Sequence, residues 1–212
     1  MAKILITSGP TREYLDPVRY LTNASSGRMG RALAGAALEL GHQVVVVSGP
    51  VTVQYPTEAE VLSVLSTSEM LDACRRVFPD CDGLIGAAAP CDYQPIRIET
   101  HKISKTGEPL TLHLVETADV VATLGAEKRA GQWLVGFALE TDDQRFRAIT
   151  KLEKKSCDLI VLNGPEAMNS ESNSVEVLDR SGQVVEAIKG SKDDVGRGIL
   201  RTIQKLLIEP RS

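Results

Sequence analysis

Along the first fifty residues the apolar positions change period twice. Lys3 to Thr7 reads Lys-Ile-Leu-Ile-Thr, a short unbroken apolar run of the kind that forms a strand buried on both faces. Gly27 to Leu40 instead places Met29, Leu33, Ala36, Ala37 and Leu40 on one side of a helix, with Gly41 as the stop. Val44 to Val47 is β-branched again and ends at Ser48-Gly49-Pro50. Strand, helix and strand in that order predict a βαβ unit with a right-handed crossover. Between the first run and the helix, Ser8 to Ser26 is polar and turn-rich.

The alternation continues down the chain. Val61 to Leu65 predicts a strand and Ser68 to Val77 a helix, with Ser66 and Glu69 at capping-box spacing. Gly83 to Ala89 is small and apolar, a central strand ending at Pro90. Thr111 to Val115 alternates as a strand, Ala118 to Lys128 reads as a helix, and Trp133 to Ala138 as the next strand. Asp143 to Lys155 is an amphipathic helix expected to turn Phe146, Ile149 and Leu152 inward, and Leu159 to Leu162 repeats the buried-strand pattern. The tail differs. Asn173 to Leu178 and Gln183 to Ala187 flank Asp179-Arg180-Ser181-Gly182 as a hairpin, spanning about residues 173–187. Ser191 then caps a helix whose stripe is Val195, Ile199, Leu200, Ile203, Leu206 and Leu207. The expected fold is α/β: a three-layer, Rossmann-like single domain over residues 1–212, its sheet mostly parallel with a C-terminal antiparallel hairpin. Residues 91–109 fit no element and read as a mobile flap carrying Lys102, Lys105 and Gly107.

Composition narrows the classes. An apolar fraction of 42% in 212 residues supports a sizeable core, which argues against disorder. A formal net charge of -4 argues against broad nucleic-acid binding, while leaving room for a local anion site. No apolar run reaches bilayer-spanning length, and the opening residues lack the shape of a secretion signal, so a cytoplasmic protein without a membrane partner is expected. Cys74, Cys81, Cys91 and Cys157 form no CxxC pair and read as free thiols in a reducing compartment. His42, His101 and His113 are too few and too scattered for a His-rich metal centre.

Three segments carry candidate chemistry. The first follows strand one, where Gly9 opens a long loop and Ser25, Ser26 and Gly27 begin the helix. Free N–H groups and hydroxyls there can cradle a phosphate, with Arg19 and Arg28 as further donors. Equally, Gly27 and Gly30 can serve only tight packing, with Ser25 a plain cap. The loop is neither a Walker A motif nor a dinucleotide fingerprint. The second is Ala87-Ala88-Ala89-Pro90-Cys91-Asp92-Tyr93, whose small residues admit a flat base or sugar and whose Asp92 can hold a phosphate-bound Mg²⁺ or a ligand hydroxyl, or can simply occupy a turn. The third is Lys102-Ile103-Ser104-Lys105, a pair of cations able to fold over an anion or to remain a solvated loop.

Several long motifs in fixed order then carry a family likeness. They are Thr-Ser-Gly-Pro-Thr-Arg-Glu from Thr7 to Glu13, Asp16-Pro17-Val18-Arg19, Asn23-Ala24-Ser25-Ser26-Gly27-Arg28-Met29-Gly30, Asp92-Tyr93, Lys102-Ile103-Ser104-Lys105, and Gly136 to Thr141, followed by Lys155, Asp158 and Asn163. With these the chain resembles phosphopantothenoylcysteine synthetase, the ligase half of the bacterial bifunctional coenzyme A biosynthesis flavoprotein. The resemblance implies that 4'-phosphopantothenate is activated by CTP (ATP in eukaryotic relatives) with Mg²⁺, giving an acyl-cytidylate and pyrophosphate. The amine of L-cysteine then displaces CMP. It also implies a homodimer, with a separate or fused FMN-dependent decarboxylase as a partner.

By the same resemblance, Asn23 contacts the acyl intermediate, and Arg19 lies in the adjacent run. Gly9, Ser25, Ser26 and Gly27 face phosphates. Ala88, Ala89 and Phe137 shape the nucleotide pocket, and Asp92 binds near ribose or metal. Lys102 and Lys105 act from the flap, and Lys155, Asp158 and Asn163 form a strand-end group near the base. Three segments depart from the family pattern: Ser104 replaces a flap lysine, Pro90-Cys91 replaces small aliphatic residues, and Thr117-Ala118-Asp119 replaces Asn-Pro-Asp. Two other readings of the chain remain open, an NAD(P)H-dependent reductase and a non-catalytic nucleotide-binding module. The first is lowered by Ser48-Gly49-Pro50, which stands where an acidic ribose hook would be.

Overall fold

The computed structural model describes residues 1–139, 144–163 and 173–209. Strand β1 (Lys3–Ser8) leads through a ribbon of β2 (Arg12–Asp16) and β3 (Arg19–Thr22) into α1 (Arg28–Glu39), followed by β4 (Gln43–Ser48), β5 (Glu60–Ser63) and α2 (Thr67–Val77). After a 3-10 turn come β6 (Gly83–Gly86), β7 (Tyr93–Pro95), β8 (Leu114–Glu116), α3 (Val120–Glu127), β9 (Trp133–Leu139), α4 (Gln144–Lys154) and β10 (Leu159–Asn163). The chain closes with β11 (Asn173–Asp179), β12 (Val184–Gly190) and α5 (Lys192–Ile203), which runs on into a π-helical turn at Gln204–Ile208.

Eight strands form one sheet in the order β12-β11-β10-β9-β6-β1-β4-β5. From β10 to β5 every pairing is parallel, and β11 and β12 add antiparallel strands at one edge. The period-two rule of a strand explains how the unbroken apolar runs are used. Ile4, Ile6, Val44, Val46, Ile85, Val135 and Val161 pack with α1 and α5 on one face. Leu5, Val45, Val47, Leu84, Leu134 and Ile160 pack with α2, α3 and α4 on the other. This is the expected three-layer α/β architecture, with the hairpin where the sequence places it. No helix among the described residues is long and apolar enough to cross a membrane.

Several local expectations change. The turn-rich segment after β1 contains the β2–β3 ribbon, paired Arg12 to Thr22 and Tyr14 to Tyr20. Part of the 91–109 excursion is also regular, because β7 pairs antiparallel with β8, Ile96 N donates to His113 O (3.1 Å) and Glu99 N donates to Leu15 O (2.9 Å). Phe146 is not inward, being 74% exposed, whereas Leu152 is buried and Ile149 packs against the core as expected, with Ala148 beside them. Leu206 is exposed as well, since the π turn shifts the stripe and brings Leu207 and Ile208 against the core. At α2, Ser66 accepts from Glu69 N (3.1 Å), but the Glu69 carboxylate accepts from Leu65 N (2.7 Å), one residue before the cap. The complete capping box is at α5, between Ser191 and Asp194.

Beyond the carboxyl ends of β1 and β4 the backbones nearly touch. A Cβ added at Gly49 would stand 1.6 Å from Pro10 O, which is backbone and cannot swing aside. Gly49→Ala is therefore expected to cost about 1–3 kcal/mol through forced backbone movement. Denaturant unfolding monitored by circular dichroism reads this as a lower midpoint at unchanged slope.

Candidate functional site

The direction of the chain through the sheet selects one place. From β1 it moves outward through β4 and β5, then returns to β6 on the other side of β1 and moves out through β9 and β10. The crevice beyond the carboxyl ends of β1 and β6 is the switch point at which open α/β sheets bind ligands. Here the strands run on past their last ladder pair as a bridge between Pro10 and Ala89, with Ala89 N donating to Gly9 O (2.9 Å).

Two openings meet at this crevice. One, about 380 Å³, is lined by Arg12, Tyr20, Asn23, Ser25, Ser26 and Pro50 among others. The second, about 320 Å³, includes Ala88, Pro90, Asp92, Phe137 and Lys155 in its walls. Asn23 forms the partition. Its Nδ2 donates to Pro90 O at 2.8 Å and to Ala89 O at 3.3 Å, so a residue of the first opening is bonded to a wall of the second. Ala89 enters the site through its backbone.

The loop after β6 is fixed from beneath by buried hydroxyls. Thr11 Oγ1 accepts from Cys91 N (2.8 Å), and Cys91 O accepts from Thr117 Oγ1 (2.6 Å) and Thr67 Oγ1 (3.3 Å). The buried Glu13 carboxylate in turn accepts from Thr67 N at 2.8 Å. Pro90 has no N–H, so the bonds of its neighbours set the course of the loop. They leave the Asp92 carboxylate exposed in the cleft, with no ion pair among the described residues. Lys155 reaches the same cleft and pairs with Asp119 Oδ2 (3.0 Å). Burial raises the Asp119 carboxyl, but its bond from Ala122 N and the Lys155 cation outweigh this and hold it below its ordinary range.

Helix α1 starts differently from α2, α3 and α5. Those three carry side-chain caps from Ser66, Asp119 and Ser191, whereas α1 starts at Gly27 without one. Ser25 and Ser26 precede that uncapped turn, and their hydroxyls have no hydrogen bond among the described residues. Arg12 shares the opening. Its guanidinium lies 4.5 Å from the centroid of the Tyr20 ring and has no carboxylate partner among the described residues. The sequence reading left Arg12 out of the site, although the ribbon register that places it beside Tyr20 follows from the Asp16-Pro17 turn.

Other candidates stand elsewhere. Gly9 and Gly27 have φ of +76° and +72°, and the space beside both is filled by Val51, 2.7 and 2.8 Å from an added Cβ. Both positions are buried and require glycine, whatever their backbone N–H groups face. Asp158 is not at the carboxyl edge. It precedes β10, accepts from Leu134 N and Lys128 Nζ (both 2.7 Å) and pairs with Arg180, about 16 Å along the strand from Asn163. Asn163 does end β10 at the carboxyl edge, in register with Leu139. Lys102 lines a third cavity, a groove of about 670 Å³ beside Leu15, Ile96 and Leu112, so neither it nor Lys105 belongs to the walls of the paired openings.

Arg19 turns toward the flap rather than toward the crevice. It donates to Asp16 Oδ2 through Nε (2.8 Å) and to Ile103 O through Nη2 (2.6 Å). Asp16 has no exposed surface and also accepts from Val18 N (2.9 Å), Arg19 N (2.9 Å) and Ile103 N (3.1 Å). Burial alone would raise this carboxyl; the bonds from Val18, Ile103 and Arg19 prevail and take it down to about 2. Its contribution to stability is therefore complete above the ordinary value of 3.8 and is lost as the pH falls through about 2. A carboxyl-carbon NMR titration is expected to find Asp16 still ionised at pH 3, where exposed aspartates are largely protonated.

The family model described as DNA/pantothenate metabolism flavoprotein C-terminal domain matches residues 1–207. The chain is 41% identical over 210 residues to the coenzyme A biosynthesis bifunctional protein CoaBC of Vibrio vulnificus, covering 96% of the chain and 52% of that protein. It is 40% identical over 210 residues to a cysteine/cysteine sulfinic acid decarboxylase of an unknown prokaryotic organism, covering 97% of the chain and 58% of that protein. The chain thus spans little more than half the length of these curated relatives. The crystal structure of the C-terminal domain of a CoaBC protein superposes with a TM-score of 0.83 at 35% identity, over 98% of both chains.

Proposed function

Because the chain belongs to the DNA/pantothenate metabolism flavoprotein C-terminal domain family, we propose that it joins 4'-phosphopantothenate to L-cysteine at the expense of a nucleoside triphosphate, CTP in the first instance. The observation that carries the reading is the Asn23–Pro90 partition, which lets an acid in one opening meet a nucleotide in the other. A carboxylate is a poor acyl donor until one of its oxygens becomes a good leaving group. Its attack on the α-phosphate forms a P–O bond, expels pyrophosphate and leaves an acyl-nucleotide. The amine of cysteine then attacks the acyl carbon, losing a proton as the amide forms and CMP departs.

The residues divide this work by position. The base and ribose fit the cleft of Ala88, Asp92 and Phe137, with Lys155 as its cation. The phosphates fit the uncapped start of α1 with the Ser25 and Ser26 hydroxyls, where N–H groups and the helix dipole favour negative charge. With its Nδ2 held by the Pro90 and Ala89 carbonyls, Asn23 presents Oδ1 as an acceptor for the incoming amine. Asp92 suits Mg²⁺, since that ion is commonly held by one or two carboxylates together with substrate phosphates, and its exposed carboxylate is free for such a role. Bound there, Mg²⁺ would neutralise the triphosphate and the departing pyrophosphate. Lys102 and Lys105 would screen the same charge once the flap closes.

The test is initial pyrophosphate release with 4'-phosphopantothenate and Mg²⁺, comparing CTP with ATP. Release that depends on the acid and is faster with CTP supports the reading. In Asn23→Ala, pyrophosphate release is expected to persist while amide formation falls at least tenfold, so that acyl-nucleotide accumulates. Equal coupling to cysteine in that variant would remove Asn23 from the second step. Carbon dioxide release from cysteine without nucleotide would instead favour chemistry of the kind named for the decarboxylase relative.

The active form proposed is a homodimer joined through the β7–β8 ribbon and flap. Ile96 (66% exposed), Ile98 (59%) and Leu110 (58%) there form an apolar surface uncommon on a monomer of this charge. A fused or separate FMN-dependent decarboxylase is the proposed partner. Sedimentation is expected to give a dimer for the parent protein and a monomer for an Ile96→Asp, Leu112→Asp double variant.

A further inference from the structure

We infer that Asp16 is the positioning residue of the flap, fixing through both backbone groups of Ile103 the pivot about which Lys102 turns as the flap closes. This rests on the proposed reaction for what Lys102 does, and on geometry for the holding. Ile103 follows Lys102 directly. Its N–H donates to Asp16 Oδ2 at 3.1 Å, and its carbonyl accepts from Arg19 Nη2 at 2.6 Å. Arg19 is itself bound to the same Asp16 oxygen through Nε at 2.8 Å. One ion pair therefore closes a ring on a single residue 84 positions away in sequence from Arg19.

The rest of the carboxylate is anchored in rigid structure. Asp16 Oδ1 accepts from Val18 N and Arg19 N, both at 2.9 Å, which ties the acid into the turn between β2 and β3. Two residues before that turn Tyr14 packs on Tyr20 (centroids 5.3 Å apart), and past β3 Asn23 grips the Pro90 carbonyl. The ribbon thus behaves as a beam, with the partition of the crevice at one end and the flap clip at the other. A buried carboxylate this well supplied with donors is a strong acceptor, and charge-assisted bonds are about twice as strong as neutral ones. Asp16→Asn keeps the shape but turns one acceptor into a donor. Either the turn N–H groups or Ile103 N then face a hydrogen.

Limited trypsinolysis with mass spectrometry reads the clip directly, because the protease must draw the Lys102–Ile103 bond into an extended form that uses the backbone groups now occupied. Asp16→Asn is expected to speed cleavage at that bond at least tenfold. Asp193→Asn, which breaks an exposed pair with Arg31, is expected to leave it unchanged. In the same preparation kcat for pyrophosphate release is expected to fall at least tenfold, with the nucleotide KM moving less than threefold. Cleavage within twofold of the parent in a folded variant overturns the inference, as does faster cleavage with kcat unchanged. If cleavage quickens but the parent itself releases no pyrophosphate, the clip stands and the ligase reading falls. Should Asp16→Asn not fold, amide exchange in the parent decides. Ile103 N–H is expected to exchange more slowly than those of Ser104 and Thr106, and equal rates would overturn the clip.

Discussion

A carboxylate with no exposed surface must find donors on every side, and the demands of Asp16 organise the part of the molecule around the crevice. Burial penalises the charge; the turn, the arginine and the flap peptide together more than offset that penalty, which is why the carboxyl lies so far below its ordinary range. Each oxygen takes donors from more than one source, and removing any one weakens what offsets the buried charge, so the turn, the ribbon and the flap peptide are not independent choices. The sheet supplies a floor, and this acid, with the bond from Glu99 N to Leu15 O, relates the ribbon to the excursion lying across it.

The sheet and its helices were legible because both faces are buried. Unbroken apolar runs such as Ile4-Leu5-Ile6 and Val44 to Val47 are what a strand needs when alternate side chains enter two different cores. The ribbons were less legible for the opposite reason. In β3 and β8 nearly every side chain is partly or fully exposed, so no buried face imposes a period. The turn chemistry was nevertheless present in Asp16-Pro17, with Asp at the first turn position and Pro at the second. Phe146 misled because it shares the stripe of Ile149 and Leu152, and apolar spacing alone does not say how far along a helix the core extends.

Among the site residues, Asn23, Ser25, Ser26, Ala88, Asp92, Phe137 and Lys155 come together as motif order suggested. Asp158 does not, since nearness in sequence to a strand leaves open which of its ends a residue occupies. Gly9 and Gly27 depend on where Val51 lands, and nothing in their own motifs encodes that. Arg12 is the converse case, a cation brought to the crevice by pairing between two segments whose own composition announced only loop. The sequence also grouped the flap lysines with the nucleotide residues, whereas Lys102 lies along a separate groove. The residues proposed to react are built on two parts of the fold, the sheet edge and the ribbon-held excursion.

The thiols bear on chemical compatibility. An acyl-nucleotide is an electrophile, and any protein thiolate near it would capture the acyl group as a thioester and inactivate the enzyme. Burial pushes Cys74 and Cys157 up to about 12 and Cys81 to about 11. Cys91, the one in the wall of the proposed nucleotide cleft, is raised for the same reason, and its Sγ lies 3.6 Å from Thr11 O. At neutral pH each stays a protonated, weakly nucleophilic thiol. A protein proposed to handle free cysteine beside an activated acid thus keeps its own sulfur inert, leaving the substrate amine without an internal competitor.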